Sequence, residues 1–208
     1  MELTLSDSSI LRDQKEYTGV HPQKFALWVG MGAIAMFFAA ITSALLIKKG
    51  DFRVWQNFRL PDIFTYSTMV IVAVSATMQF SLICYRKAKF VMFRAMLSVS
   101  FLLAVLFLGM QVTGWHILKQ MGLPLAGNLA GSFIYLITSM HGLHIIGGLV
   151  VTLVFLVFAI RSRKDPIYEL RDIINPKRQL NLELLVSYWH FVDIIWVYLY
   201  VFLVLNYQ

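Results

Sequence analysis

The run LELLVSYWHFVDIIWVYLYVFLVL, residues 182–205, carries only two formally charged side chains, Glu183 and Asp193. At a helical rise of ~1.5 Å per residue it is long enough to cross the ~30 Å hydrocarbon core of a bilayer. Such a segment has to be helical in lipid, because no water is present to satisfy an open backbone. His190 and Asp193 then stand out, since a charge at the middle of a bilayer helix costs at least ~2.5 kcal/mol even on the mildest scale. Both are expected to face protein or a water-filled cavity rather than lipid tails.

Working back from that run, charge-free windows recur at Phe25–Ile47, Ile63–Tyr85 and Ala95–Leu118, and a further charge-free region ends at Ile160. Gln120–Ile160 is too long for one crossing and contains Pro124, Gly127, Asn128 and Gly131, so it reads as a loop followed by a helix from about Gly131. The expected fold is therefore all-α, a polytopic bundle of five transmembrane helices at about 25–47, 63–85, 95–118, 131–160 and 182–205. A hydrophobic content of 59% agrees with this reading, against about 45–50% in an ordinary soluble domain. The largest stretch between spans, Arg161–Asn181, is too short for a second domain, so 23–208 reads as one membrane domain after a polar tail at 1–22. That tail carries Glu2, Asp7, Asp13 and Glu16 with no apolar core, which argues against a cleavable signal.

The net charge of +7 suggests nucleic acid at first sight, but the basic residues sit in short inter-helix segments. With the N-terminus inside, the cytoplasmic segments hold thirteen Lys and Arg and the opposite side five: Lys48, Lys49, Arg53, Arg59 and Lys119. The positive-inside rule then predicts a cytoplasmic N-terminus, a periplasmic C-terminus and an odd number of crossings. No nucleic-acid partner is expected. Cys84 is the single cysteine and reads as a small apolar packer in the second span.

Several intramembrane residues are candidates for function. In HGLH, His141 and His144 lie three apart on one helix face. Two imidazoles are only part of a metal or haem ligand set, so the leading expectation is that they donate to backbone or side-chain acceptors on neighbouring helices, ahead of a role in proton or water traffic and of ligation. A step of ~100° per residue places Glu183, Ser187, His190 and Asp193 within one arc of the last helix. Asp193 is placed to accept the N–H of His190 and fix its tautomer, either as a structural pair or as part of a proton relay. Glu183 reads as a helix N-terminal cap or as a functional carboxylate. Ala35, Ala39 and Ser43, four apart, and Gly147 with Gly148 would let helices or another membrane subunit approach closely. Trp28, Trp115, Trp189 and Tyr207 fall near span ends, as interfacial aromatics do, whereas Trp196 lies deeper and packs.

Three blocks in order, FLGMQ at 107–111, TSMHGLHIIGG at 138–148, and Glu183 followed by YWHFVDIIW, resemble subunit III of the haem-copper terminal oxidases. The chain is similar to the family's five-helix bacterial form, which lacks the two extra leading helices of the long form. It also lacks the buried glutamate common in the first shared helix, where Ile34 stands instead. The resemblance implies a non-catalytic subunit of a cytochrome c oxidase complex in the bacterial inner membrane, acting in aerobic respiration, electron transport and proton translocation. It further implies that the chain binds no haem or copper itself, holds phospholipid in clefts that admit oxygen, and packs against catalytic subunit I beside subunit II, supporting proton uptake. A quinol oxidase subunit III or an accessory subunit of a nitric oxide reductase carries much the same motif set. A stand-alone proton or ion transporter fits less well, because there is no internal repeat or broken midplane helix. A membrane haem b carrier would have to use His141, His144 or His190.

Overall fold

The computed structural model describes residues 22–50, 59–125, 129–161 and 176–207. They form five helices: α1 (Pro22–Lys49), α2 (Ile63–Arg86), α3 (Phe90–Gln120), α4 (Leu129–Arg161) and α5 (Pro176–Tyr207). All five are long and apolar enough to cross a membrane. The polar tail expected at 1–22 lies, Pro22 apart, outside the described residues.

The helices overrun the apolar windows at their ends. α3 begins at Phe90, ahead of Arg94, and α5 begins at Pro176, six residues before the apolar run. Charged side chains at helix ends do not stop a helix; they extend it into the headgroup layer, where long cations reach water. The α2–α3 turn closes the end of α2 with Lys89 N–H donating to the Cys84 carbonyl and Ala88 N–H to that of Tyr85. The same pairing ends α3, where Leu123 N–H donates to Leu118 O and Gly122 N–H to Lys119 O. This motif needs a left-handed residue. Gly122 supplies it at φ 79°, whereas Ala88 adopts φ 54° despite its Cβ.

α5 is central to the bundle and packs against α1, α2 and α4, while α3 joins α2 to α4. Its buried positions, Leu182, Leu185, Val186, Trp189, Val192, Asp193, Trp196, Leu199, Leu203 and Tyr207, advance by three and four residues and so form one stripe. Large apolar side chains such as Met36, Ile47, Val91 and Ile194 point outward, as a lipid-facing surface requires. Cys84 is buried and free, and Ile34 packs partly buried against the core.

Glycines set the closest approaches. A Cβ on Gly114 of α3 would come within 2.8 Å of the Phe64 ring on α2. On α4, a Cβ on Gly148 would meet Tyr188 at 3.1 Å and Trp189 at 3.2 Å. Gly148 thus does what the sequence suggests, while Gly147 is exposed and clears Tyr188 by 3.9 Å. The small residues of α1 do not line a contact within the chain. Ala39 and Ser43 face outward and Ala35 is half-buried, because α1 docks through Phe38, Thr42 and Leu45 instead.

Candidate functional site

The polar groups inside the bundle fall into an interior frame and an outer seam. In the frame, three tryptophans donate their indole N–H to threonine hydroxyls on other helices. Trp196 donates to Thr68 at 3.0 Å, Trp189 to Thr152 at 2.9 Å and Trp115 to Thr138 at 2.9 Å. Each threonine in turn donates to the carbonyl four residues back, of Phe64, Gly148 and Ile134 respectively. A hydroxyl can do both at once, so the indole is satisfied without freeing a backbone group. The ends are tied similarly: Tyr207 donates to Ala130 O at 2.7 Å and Tyr188 to His144 O at 2.9 Å. Trp189 and Tyr207 are therefore interior struts, not interfacial aromatics, and each is almost fully buried. Trp28, by contrast, is well exposed.

His141 sits at the middle of this frame, fully buried. Its ring lies 4.9 Å from that of Trp196, 5.9 Å from Phe107 and 6.3 Å from Phe38, so aromatic rings from three other helices enclose it. Neither ring nitrogen has a hydrogen-bond partner among the described residues. His144 instead donates Nδ1–H to the Met140 carbonyl of its own helix at 2.7 Å. The expectation that both histidines donate to neighbouring helices is thus corrected. The i−4 carbonyl is within reach of His144, and the apolar rings around His141 offer no acceptor. Among the described residues no three His, Cys, Asp or Glu side chains converge as a metal site would require, and the bond of His144 Nδ1 to its own helix leaves Nε2 as that ring's open nitrogen.

The outer seam runs along α2 and α5. His190 bonds α2 through both ring nitrogens, Nδ1 to the Ser75 hydroxyl at 2.5 Å and Nε2 to Gln79 Oε1 at 3.1 Å. An amide oxygen only accepts, so Nε2 carries the proton, and in the neutral ring Nδ1 accepts from Ser75. The tautomer is set by Gln79 and Ser75, not by Asp193 as the sequence suggested. One helical turn separates the two α5 residues, and the ring turns toward α2 while the carboxylate turns inward. Asp193 is only 4% exposed. Its oxygens make no hydrogen bond among the described residues.

Glu183 lies well past the first turn of α5, where the influence of a helix N-terminus has faded, so it is not a cap. It accepts from Arg86 of α2 at 2.9 Å and from Gln179 at 3.0 Å, with Lys24 of α1 at 3.9 Å. One carboxylate thus gathers α1, α2 and α5 at one end of the bundle. Ser187, the fourth member of the predicted stripe, is exposed and donates to its own helix at Glu183 O. The stripe is therefore not one site: it passes from an ion cluster through an exposed seam to a buried carboxyl.

Sequence reasoning missed the partners. Gln79 and Gln111 were visible as amides inside apolar spans, and Gln111 donates to Ser67 at 3.0 Å across α3 and α2. The threonines gave no such signal, because Thr is ordinary in membrane helices and only the packing tells which one meets an indole. Between α3 and the start of α4 there is also a largely apolar groove of about 690 Å³, with Trp115, Tyr135, His116 and Lys119 among its walls.

Residues 26–207 match the family described as Cytochrome c oxidase subunit III. The chain belongs to that family. Among curated proteins, it is 31% identical over 134 residues to a probable cytochrome c oxidase subunit 3 of Mycobacterium bovis, covering 64% of this chain and 61% of that protein. It is 26% identical to cytochrome c oxidase subunit 3 of Corynebacterium diphtheriae, over 82% of this chain and 77% of that one. It is 24% identical to the Bacillus subtilis subunit 3, over 83% and 81%. The family match takes in all five helices, including HGLH, Glu183 and the YWHFVDIIW block.

Proposed function

We propose that this chain is the non-catalytic subunit III of an aerobic respiratory oxidase, a multi-pass inner-membrane protein that stabilises the haem- and copper-bearing subunit I. The observation that carries the reading is the state of His190. Both its nitrogens are engaged by α2, so the most distinctive residue of the last helix joins helices and is not free to bind a cofactor or attack a substrate. In this reading haem and copper belong to partner subunits, with subunit II beside subunit I. The Arg86–Glu183–Lys24 cluster, on the side the positive-inside rule assigns to the cytoplasm, favours proton uptake there. Phospholipid suits the groove beside Lys119, whose walls are apolar and whose cation sits at a helix end. Cytochrome c is the donor in this reading, as the names of the relatives suggest.

The test is purification of the whole complex from its own membrane in mild detergent, followed by an optical spectrum of the complex and of the separated chain. Co-migration with a haem-bearing subunit and a colourless separated chain is the expected result. A separated chain with a Soret band overturns the proposal, as does purification with a nitric oxide reductase.

A further inference from the structure

We infer that the α2–α5 seam is the surface on which a transmembrane helix of the haem-bearing subunit docks; this rests on the subunit reading above. Three exposed side-chain hydrogen bonds join these two antiparallel helices: Arg86 to Glu183, His190 to Gln79, and Thr65 with Tyr200. They occur in sequence along the seam, so polar groups follow it from one end of the bundle toward the other. The first pair lies at a charged helix end, where water or headgroups satisfy it. The second does not: Gln79 is two turns inside α2 from Arg86, roughly 10 Å deeper.

Gln79 is exposed, and its oxygen is taken by His190. Its amide nitrogen keeps two N–H donors that no described residue accepts. A donor pair facing hydrocarbon is unfavourable, and polar side chains at that depth face protein or a water-filled space. The surrounding surface does not suggest a water channel, since Val72 and Phe80 on the same helix are large, apolar and exposed. A partner helix presenting an acceptor, whether an amide, a hydroxyl or a carboxylate, satisfies the Gln79 amide and covers His190 and Ser187 as well.

This occupant differs from lipid in a way the seam itself encodes. Lipid tails carry no acceptor at that depth, whereas interhelix hydrogen bonds are a usual cement between membrane helices. The outward face of α4 is apolar by contrast, as with Leu143, Val150 and Val154.

The experiment uses the full chain in its own membrane, with a photoreactive benzoylphenylalanine in place of Gln79 or, as a comparison, of Leu143. Illumination from position 79 is expected to give an adduct with a haem-bearing membrane subunit, and from position 143 adducts with lipid. In parallel, Gln79→Leu is expected to lower recovery of the haem-bearing partner roughly three- to tenfold, the effect of one interhelix hydrogen bond. Lipid adducts alone at position 79, an adduct with a second copy of this chain, or full recovery with Gln79→Leu overturns the docking surface while leaving the subunit reading intact. An unsubstituted chain that purifies with no haem-bearing partner overturns both.

Discussion

The junction around Trp196 and the seam around His190 lie two turns apart on the same helix and use the same kind of bond, yet they face opposite surroundings. At the junction, Trp196 is fully buried, its N–H meets Thr68, and its ring covers His141. At the seam, His190 is half-buried and its partner Gln79 is exposed. Interior polar groups hold this bundle together, while the exposed ones are arranged for something outside it. Substitutions in the two regions should therefore separate stability of the chain from assembly of the complex.

The largest effect is expected from Trp196→Ala. It opens a cavity beside Phe64, Phe107 and His141 and strips Thr68 of its donor. A loss of about 3 to 5 kcal/mol should appear as a lower midpoint in a mixed-micelle unfolding titration. Gly114→Val comes next. Even a Cβ there reaches within 2.8 Å of Phe64, which itself stacks toward Trp196. Overpacking of this kind costs about 1 to 3 kcal/mol, and Gly114→Ala should fall below Gly114→Val in the same assay.

Thr152→Val keeps the volume but leaves the Trp189 N–H unpaired in the interior. About 0.6 to 1.7 kcal/mol is expected, with Thr152→Ser restoring most of it. An unchanged midpoint for Thr152→Val would remove the indole–threonine ties from the account of stability. Glu183→Gln should do least to the chain, below ~1 kcal/mol, because its cluster is partly open to solvent. High salt should shrink even that difference, which the same titration at two ionic strengths would measure.

The five spans were legible because window length and lack of charge are properties of the chain alone, and the bilayer forces such windows to be helical. Helix ends were less legible. Arg94 and the Lys177–Arg178 pair look like boundaries in sequence but lie inside helices that continue past the apolar core. Among site residues, His141, His190 and Asp193 announced themselves by polarity, and Gly148 by its missing side chain. Their partners did not. The turn between His190 and Asp193 made a pair plausible on a helical wheel, yet Ser75 and Gln79 on α2 claimed the ring first. Glu183 resembled a cap only because α5 was expected to start at Leu182, six residues late.

The most direct test of the two-region account compares Trp196→Phe with Gln79→Leu in the full chain, reading both the unfolding midpoint in mixed micelles and the amount of haem-bearing subunit recovered from native membranes. The account predicts that Trp196→Phe lowers the midpoint more than it lowers recovery of the partner, whereas Gln79→Leu, which removes only the exposed bond to His190, lowers the midpoint less and recovery of the partner more. A midpoint that falls as far with Gln79→Leu as with Trp196→Phe, with partner recovery unaffected, would contradict it.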